Sequence, residues 1–411
     1  MPPLSDVVVV VALAGMLAVA FGHPRGRVEV LVGLVCAGAT LATGLLTLDE
    51  ARAAVDDLAP VVAFLVTILV VSDVCGRAGL FVAAAQRVGR WSGGHPVPLF
   101  TGIFALAALV TVTLSLDATV VLLTPVILAA AMARAVPAEP GTYACLRMAN
   151  SASLLLPVSN LTNLLALPNL DLTFTGFALR MAPVLAVVLL VEYVGLRLLF
   201  RPQLTATPRP DPDPPQPVAT FPLVVVALML VGFAVVSPFG GQPWWSSLAA
   251  AVVLSAWAVR RGLARPIHLV HAAHPGFAVW VLALGVVVAA LAEGFLGDAV
   301  ARLVPDGTSL AALLAVALTA TVLANALTNL SATLLLVPLV APLGTTAVLA
   351  ALLGLNIGSG LTWTGSLANL LWRRTLGRRG VHPTNAEFHR VSLLLTPPSL
   401  LAAVVTLWLT S

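Results

Sequence analysis

The sequence predicts an all-α polytopic membrane protein made of two inverted-topology repeats, and three observations carry that reading. Of 411 residues, 59% are hydrophobic and 9% charged, against about 25% charged in ordinary soluble domains. A soluble fold of this length could not hide that much apolar surface, whereas a bilayer can. Apolar stretches also recur from Val7 to Ala20, Val28 to Leu46, Ala59 to Val71 and onward to Leu409. A spanning helix takes about 20 such residues, so the chain has room for roughly 10 to 12 spanning elements. Finally, a series of polar motifs occurs twice in the same order, once on each side of a proline-rich linker.

The charge pattern sets orientation. Net charge is +4, and every basic residue is Arg. Without Lys the chain carries no Walker-type ATP site of its own. The arginines sit in short loops between apolar stretches and not on one domain face, a pattern that orients membrane helices and argues against nucleic-acid binding. Loops 22–28, 76–91, 197–209, 259–266 and 373–390 carry Arg and belong inside. Loops 47–58, 238–246 and 293–308 are poor in net positive charge and belong outside. Trp244 and Trp245 suit a headgroup boundary there. The first apolar stretch has no basic residues before it, and Arg25 and Arg27 follow it. It reads as a retained helix with an external N-terminus in the cytoplasmic (inner) membrane, not as a cleaved signal. Cys36, Cys75 and Cys145 form no CxxC pair and suggest no disulfide framework.

Taken in order, helices near 5–21, 28–46 and 59–75 end inside, and helices near 219–237, 243–260 and 276–292 end outside. The halves, 1–200 and 219–411, therefore have opposite orientation. Between them lies the segment 201–218, in which seven of eighteen residues are proline, an extended and solvated cytoplasmic linker. After the third helix of each half comes a short amphipathic segment, 78–90 and 292–304. Next come SLDATVVLLTP (115–125) and TNLSATLLLVP (328–338), then NSASLLLPVSNLTNLL (150–165) and NIGSGLTWTGSLANLL (356–371). Asn150 and Asn163 match Asn356 and Asn369 at the same separation, and Asn160 falls opposite Ser366. Inverted repeats of this kind mark secondary transporters.

Polar clusters inside apolar segments are costly in lipid and face a cavity or a partner. Four stand out: Thr111–Thr119, Asn150–Asn163 around Pro157, Asn325–Thr333, and Asn356–Asn369 with its glycines. The first and third read as tips of re-entrant hairpins, the second and fourth as unwound centres of two broken helices. Half-helix N-termini would then aim partial positive charge at the midplane, and freed carbonyls and side chains would supply ligands. The candidate substrate- or ion-binding residues are Ser115, Thr119, Asn150, Ser159, Asn160, Asn163, Asn325, Thr328, Asn329, Ser331, Asn356, Thr362, Ser366 and Asn369. Plain helix packing by small residues is the competing explanation for any single cluster. Four clusters, repeated symmetrically, favour a site.

Asp117 is the most informative single residue. It is the one carboxylate within a predicted tip or unwound centre, and an intramembrane acid is most simply a proton or cation carrier. A helix N-cap is the alternative. Asp73 and Glu192 read as charges near cytoplasmic helix ends, beside Arg77 and Arg197, in solvated or snorkelling pairs. His268, His271 and His274 drift around a helix with no adjoining Cys or carboxylate, so no metal site and no cofactor is expected. The sequons at Asn160 and Asn329 fall in membrane clusters and carry no glycosylation meaning.

At these clusters the sequence resembles the arsenite efflux permeases (ArsB type) of the ion transporter superfamily. NIGSGLTWTGSLANLLWRR (356–374) looks like that family's second-half signature, VSNLTNLL (158–165) its first-half Ser-Asn-Leu motif, and LDATVVLLTP (116–125) its first tip. The resemblance covers most of the chain. It implies about ten spanning helices plus two re-entrant hairpins, near 97–135 opening inward and 309–347 opening outward. It also implies expulsion of trivalent arsenic and antimony hydroxides in exchange for protons, sometimes alongside a separate ATPase subunit. Asp117 would be the proton-linked residue, and Ser159, Asn160, Asn163, Ser366 and Asn369 would line the site. Two places depart from the family pattern: Leu116 stands where Asn often precedes the tip Asp, and Asn325 to Ser331 lacks adjacent Asn residues followed by Pro.

The function expected is therefore proton-coupled efflux of arsenite or antimonite by alternating access. The bilayer, a small inorganic substrate and a coupling proton or cation are the partners, with an ATPase subunit and a homodimer left open. Sodium-coupled transport of a dicarboxylate or inorganic anion is the related alternative, but Ser-Asn-Thr is absent from both tips. A sodium/proton antiporter would also suit Asp117. A membrane enzyme is remote, since the chain has neither HExxH nor GxSxG, and a passive channel fits an inverted repeat poorly.

Overall fold

The structure, a computed structural model, describes residues 4–22, 26–209, 216–305 and 307–411. Every regular element in them is helical. The first half comprises α1 (Leu4–Gly22), α2 (Gly26–Ala42), α3 (Leu48–Arg77), α4 (Leu80–Trp91), α5 (Pro96–Thr113), α6 (Thr124–Ala133), α7 (Glu139–Ser151), α8 (Leu161–Ala166) and α9 (Phe174–Leu199). The second comprises α10 (Thr220–Val236), α11 (Pro243–Arg260), α12 (Pro266–Ala272), α13 (Pro275–Glu293), α14 (Phe295–Ala301), α15 (Leu310–Leu327), α16 (Asn329–Val340), α17 (Thr345–Asn356), α18 (Leu367–Gly377) and α19 (Asn385–Thr410).

Seven helices among the described residues are long and apolar enough to cross a membrane. The chain is a multi-pass membrane protein. Because lipid offers the backbone no hydrogen bonds, helices are the natural spanning form. The order short helix, helix–turn–helix, broken helix and long helix occurs twice: α4 to α9, then α14 to α19. The two closing helices, α9 and α19, each have 26 residues and a Thr N-cap, Thr173 and Thr384, whose side chain accepts a backbone N–H.

The halves interlock in two apolar cores. One gathers α3, the α5/α6 hairpin and α7 with α10 and α11, and the other gathers α1, α13, the α15/α16 hairpin and α17. α2 and α3 both pack on α13. The site is held where these cores meet.

Two expectations need correction. The segment 48–58, expected as a loop, is the first third of α3. A capping box starts the helix at Thr47, whose Oγ1 accepts from the Glu50 N–H at 3.3 Å while the Glu50 carboxylate accepts from the Thr47 N–H at 2.7 Å. The Thr-x-x-Glu spacing is the sequence signal for it, and the polar run 49–57 masked that signal. The short amphipathic segment expected at 292–304 contains α14. The linker is less detached than its prolines imply. Leu204 is buried, the Arg209 N–H donates to the Arg134 carbonyl at 2.9 Å, and the Gln216 N–H donates to Gln86 at 2.8 Å. Residues 210–215 lie outside the described residues.

Candidate functional site

Each polar cluster sits at a helix interruption. In the first hairpin α5 ends at Thr113, and the Ser115 hydroxyl accepts the Ala118 N–H at 3.2 Å to start the return arm. That arm begins as a π-helix over Ala118–Leu123. Thr119 and Thr124 hold it. Thr119 bonds Thr111 across the hairpin at 2.7 Å, and the Thr124 hydroxyl donates to the Thr119 carbonyl five residues back at 2.9 Å. Such π segments recur at functional sites. The second hairpin turns at Thr328, whose φ of 72° lies in the left-handed region, and α16 then begins directly as an α-helix.

The broken helices form a matched pair. α7 ends at Ser151 and α17 at Asn356, and each is followed by 3-10 turns. Asn160 and Ser366, with near-identical extended backbones, then cap α8 and α18 through their side chains. The carbonyls freed by each break need donors, and one asparagine per break supplies them. Asn163 Nδ2 donates to Ser153 O at 2.8 Å and Leu156 O at 3.1 Å. Asn369 Nδ2 donates to Ser359 O at 3.0 Å and Thr362 O at 2.7 Å.

The two breaks are also bonded to each other. Asn150 Nδ2 donates to Asn369 Oδ1 and Asn356 Nδ2 to Asn163 Oδ1, both at 2.9 Å. Asn160 Nδ2 and Thr162 Oγ1 add bonds to Asn356 Oδ1 at 2.8 and 2.7 Å. Each hairpin is tied to its own break. Ser159 Oγ donates to Val112 O at 2.8 Å in the first half. In the second, Asn325 Nδ2 donates to Gly358 O at 3.0 Å, Thr362 N and Oγ1 donate to Asn325 Oδ1 at 3.0 and 2.7 Å, and Asn329 N donates to Gly365 O at 2.9 Å.

A cavity of about 730 Å³ reaches this junction. Its mouth lies among helix ends: Gly22 of α1, Glu29 of α2, Asp73 of α3, His274 before α13, and Arg374 and Arg378 of α18. Its walls are Phe64, Ile68 and Ser72 of α3 and Phe277 and Trp280 of α13. Its inner end is formed by Ser115, Asp117, Ser159, Asn160, Thr162, Asn329 and Ser366. Asp117 is the one acid at that inner end and has no side-chain hydrogen bond or ion pair among the described residues. Its counterpart in the second tip is Leu330, which also borders the cavity.

Residues 7–352, which include both hairpins, match the family described as citrate transporter, CitMHS. The chain belongs to this family, within the ion transporter superfamily. Similar proteins include an arsenical pump membrane protein of Escherichia coli, 28% identical over 83% of this chain and 84% of its own length. The arsenical pump membrane protein of Yersinia enterocolitica is 27% identical over 95% of this chain and 96% of its own. Among solved structures, the YdaH transporter of Alcanivorax borkumensis shares the fold with a TM-score of 0.59 at 18% identity, over 89% of each chain. This CitMHS-family chain is thus a membrane transporter of the secondary type.

Six of the residues nominated from sequence border the cavity: Ser115, Asp117, Ser159, Asn160, Asn329 and Ser366. The other nine, Thr119, Asn150, Asn163, Asn325, Thr328, Ser331, Asn356, Thr362 and Asn369, stand one layer behind. Seven of them are buried and Asn325 and Thr362 are half-buried, and each hydrogen-bonds a tip or a break. Sequence reasoning passed over Thr162, Ser72 and Trp280, and at the mouth Glu29, and it weighed His274 only as a metal ligand. Asp73 pairs with Arg77 at 2.6 Å and is partly exposed, as the helix-end reading expected. Glu192 is a correction. It is fully buried, not solvated, and its partner is Arg147 of α7 rather than Arg197. Arg147 lies eight residues past Glu139 inside a broken helix, a separation along the chain that no local pattern links to Glu192.

Proposed function

We propose that this protein exports arsenite or antimonite from the cytoplasm across the inner membrane in exchange for protons, by alternating access. The observation that carries the reading is a single unpaired carboxylate, Asp117, facing neutral hydroxyl and amide groups at the inner end of the cavity. The trivalent hydroxides are uncharged near neutral pH, so a neutral lining suits them and the acid is left for the proton. The relatives named arsenical pump membrane proteins agree with this substrate class.

The architecture proposed is two inverted repeats, 1–200 and 219–411, joined by the linker 201–218. Ten crossings are assigned to α1, α2, α3, α7 with α8, α9, α10, α11, α13, α17 with α18, and α19. The α5/α6 and α15/α16 hairpins re-enter from opposite sides. With the Arg-bearing loops inside and the N-terminus outside, the cavity mouth faces the cytoplasm, and substrate loads there. The hydrogen bonds joining tips and breaks make those elements one body, so exposure to the other side requires that body to shift against α3 and α13.

The family description and Arg374 and Arg378 at the mouth favour one second reading, entry of an anion such as citrate. Asp117 at the inner end would repel a polyanion, which ranks that reading below the first. Expression in a permease-deficient host should restore growth in arsenite. No rescue despite confirmed membrane insertion, with citrate uptake instead, would replace the first reading by the second.

A further inference from the structure

The Glu192 carboxylate lies at a triple junction. Arg147 Nε and Nη2 of α7 donate to its two oxygens at 2.9 and 2.5 Å. Ser151 of α7 and Ser399 of α19 donate at 3.1 and 3.0 Å. Arg147 Nη1 continues to Thr396 of α19 at 2.9 Å. Both charged side chains are essentially without solvent contact, at 2% and 0%, and neither borders the cavity.

The repeat supplies an internal comparison. Arg147 stands three residues before Asn150, as Leu353 stands three before Asn356. Glu192 is the nineteenth residue of α9, as Ala403 is of α19, two helices of 26 residues with matching Thr caps. Leu353 and Ala403 are fully buried, and α17 packs on α19. The same place in the same architecture is therefore filled by an apolar pair in the second half. A buried ion pair gives little net stability over apolar residues of similar shape, so stability does not account for the charges in the first half.

What the charges do is fix an angle. Arg147 and Ser151 lie one helical turn apart on α7 and both bond Glu192, which fixes the rotation of α7 about its axis. That rotation aims Asn150, between them, at Asn369 across the breaks. Arg147 also lies against the second break, since a Cβ on Gly360 would stand 2.9 Å from its Nη1. We propose that Arg147 and Glu192 are positioning residues: a charged joint that sets the first break against the second and so shapes the inner end of the cavity. The joint exists in one half only, the half that carries Asp117.

The proposal rests on the chain being a transporter, which its family gives, and not on the arsenite reading. Two variants test it, E192Q and R147L/E192A, the latter copying Leu353 and Ala403. Melting in detergent is expected to show both folded, E192Q the less stable because it leaves the Arg147 charge buried opposite a neutral partner. Uptake of arsenite into everted vesicles is expected to show KM raised on the order of tenfold, with Vmax little changed, because misplaced binding groups weaken binding before they slow movement. Amide exchange of 152–160, measured without substrate, is expected to quicken on the order of tenfold, while 358–366 changes less. Folded variants with wild-type KM and wild-type exchange would overturn the proposal. So would unfolding of R147L/E192A, because the second half implies that the fold stands without the charges. If the wild-type protein carries no arsenite, the substrate reading fails, and the exchange measurement still decides the joint.

Discussion

Asn150 and Asn369, from opposite halves of the chain, share a hydrogen bond of 2.9 Å in which the first donates, and Asn369 spends its own N–H groups on the Ser359 and Thr362 carbonyls. Replacing Asn369 by Leu orphans those two carbonyls and leaves the Asn150 amide only its 3.3 Å bond to the Leu146 carbonyl. Each orphaned group costs about 1–3 kcal/mol, so N369L should lower the melting temperature sharply. N150L removes one bond of this set and should cost less. In a double-mutant cycle the pair should show a coupling of about 0.5–3 kcal/mol. Additive losses would mean the bond is not formed in the membrane.

The second hairpin presses on its break at a glycine. A Cβ on Gly358 would stand 2.0 Å from Thr321 Oγ1 and 2.7 Å from Thr321 Cβ. Overpacking at such a contact costs about 1–3 kcal/mol, so G358A should be destabilised by that order. Adding T321G should recover part of the loss, since truncation to Ala leaves the Cβ in the way. Thermal melting of G358A at wild-type temperature would show that α15 stands off the break.

Much of this was legible in the sequence because the repeat is written in residue types that break helices. Asn160 and Ser366 fall at matched positions in the motifs, and both cap half-helices. The matched separation of Asn150 and Asn163 from Asn356 and Asn369 announced a pair of breaks. It did not announce that the bonds cross between halves, because periodicity along the chain carries no information about contacts between distant segments. Six nominated residues border the cavity, while nine hydrogen-bond the tips and breaks behind it. A buried Asn looks the same in sequence whether it faces a solute or a freed carbonyl. Glu192 was misplaced for a related reason. Arg197 is near in sequence, whereas Arg147 is near only once α7 packs on α9.

Two cavity-wall groups stand out by their lack of partners: Ser72 Oγ on α3 and Trp280 Nε1 on α13 are buried without a hydrogen bond among the described residues. An unpaired buried hydroxyl is a cost, so S72A should leave stability unchanged or raise it by up to about 1 kcal/mol. W280F should behave similarly apart from a loss of packing, because the ring stacks on Phe277 at 5.6 Å. A clear drop in the melting temperature of S72A would indicate that its hydroxyl is bonded after all.

The sharpest test falls on the one acid at the inner end of the cavity. Asp117 lies between the Ser115 cap and the π segment 118–123, and its side chain holds none of the bonds that shape the hairpin. D117N should therefore fold as the wild type does, because Thr111, Thr119, Thr124 and Ser115 keep the hydrogen bonds that shape the tip. With the titrating group gone, uptake into everted vesicles should no longer respond to an imposed pH gradient, although downhill exchange of substrate should persist. Leu330 occupies the equivalent place in the second tip, so L330N should leave the pH response intact and alter only the shape of the cavity. If D117N vesicles still accumulate substrate against its gradient when a pH difference is applied, proton coupling does not run through this tip.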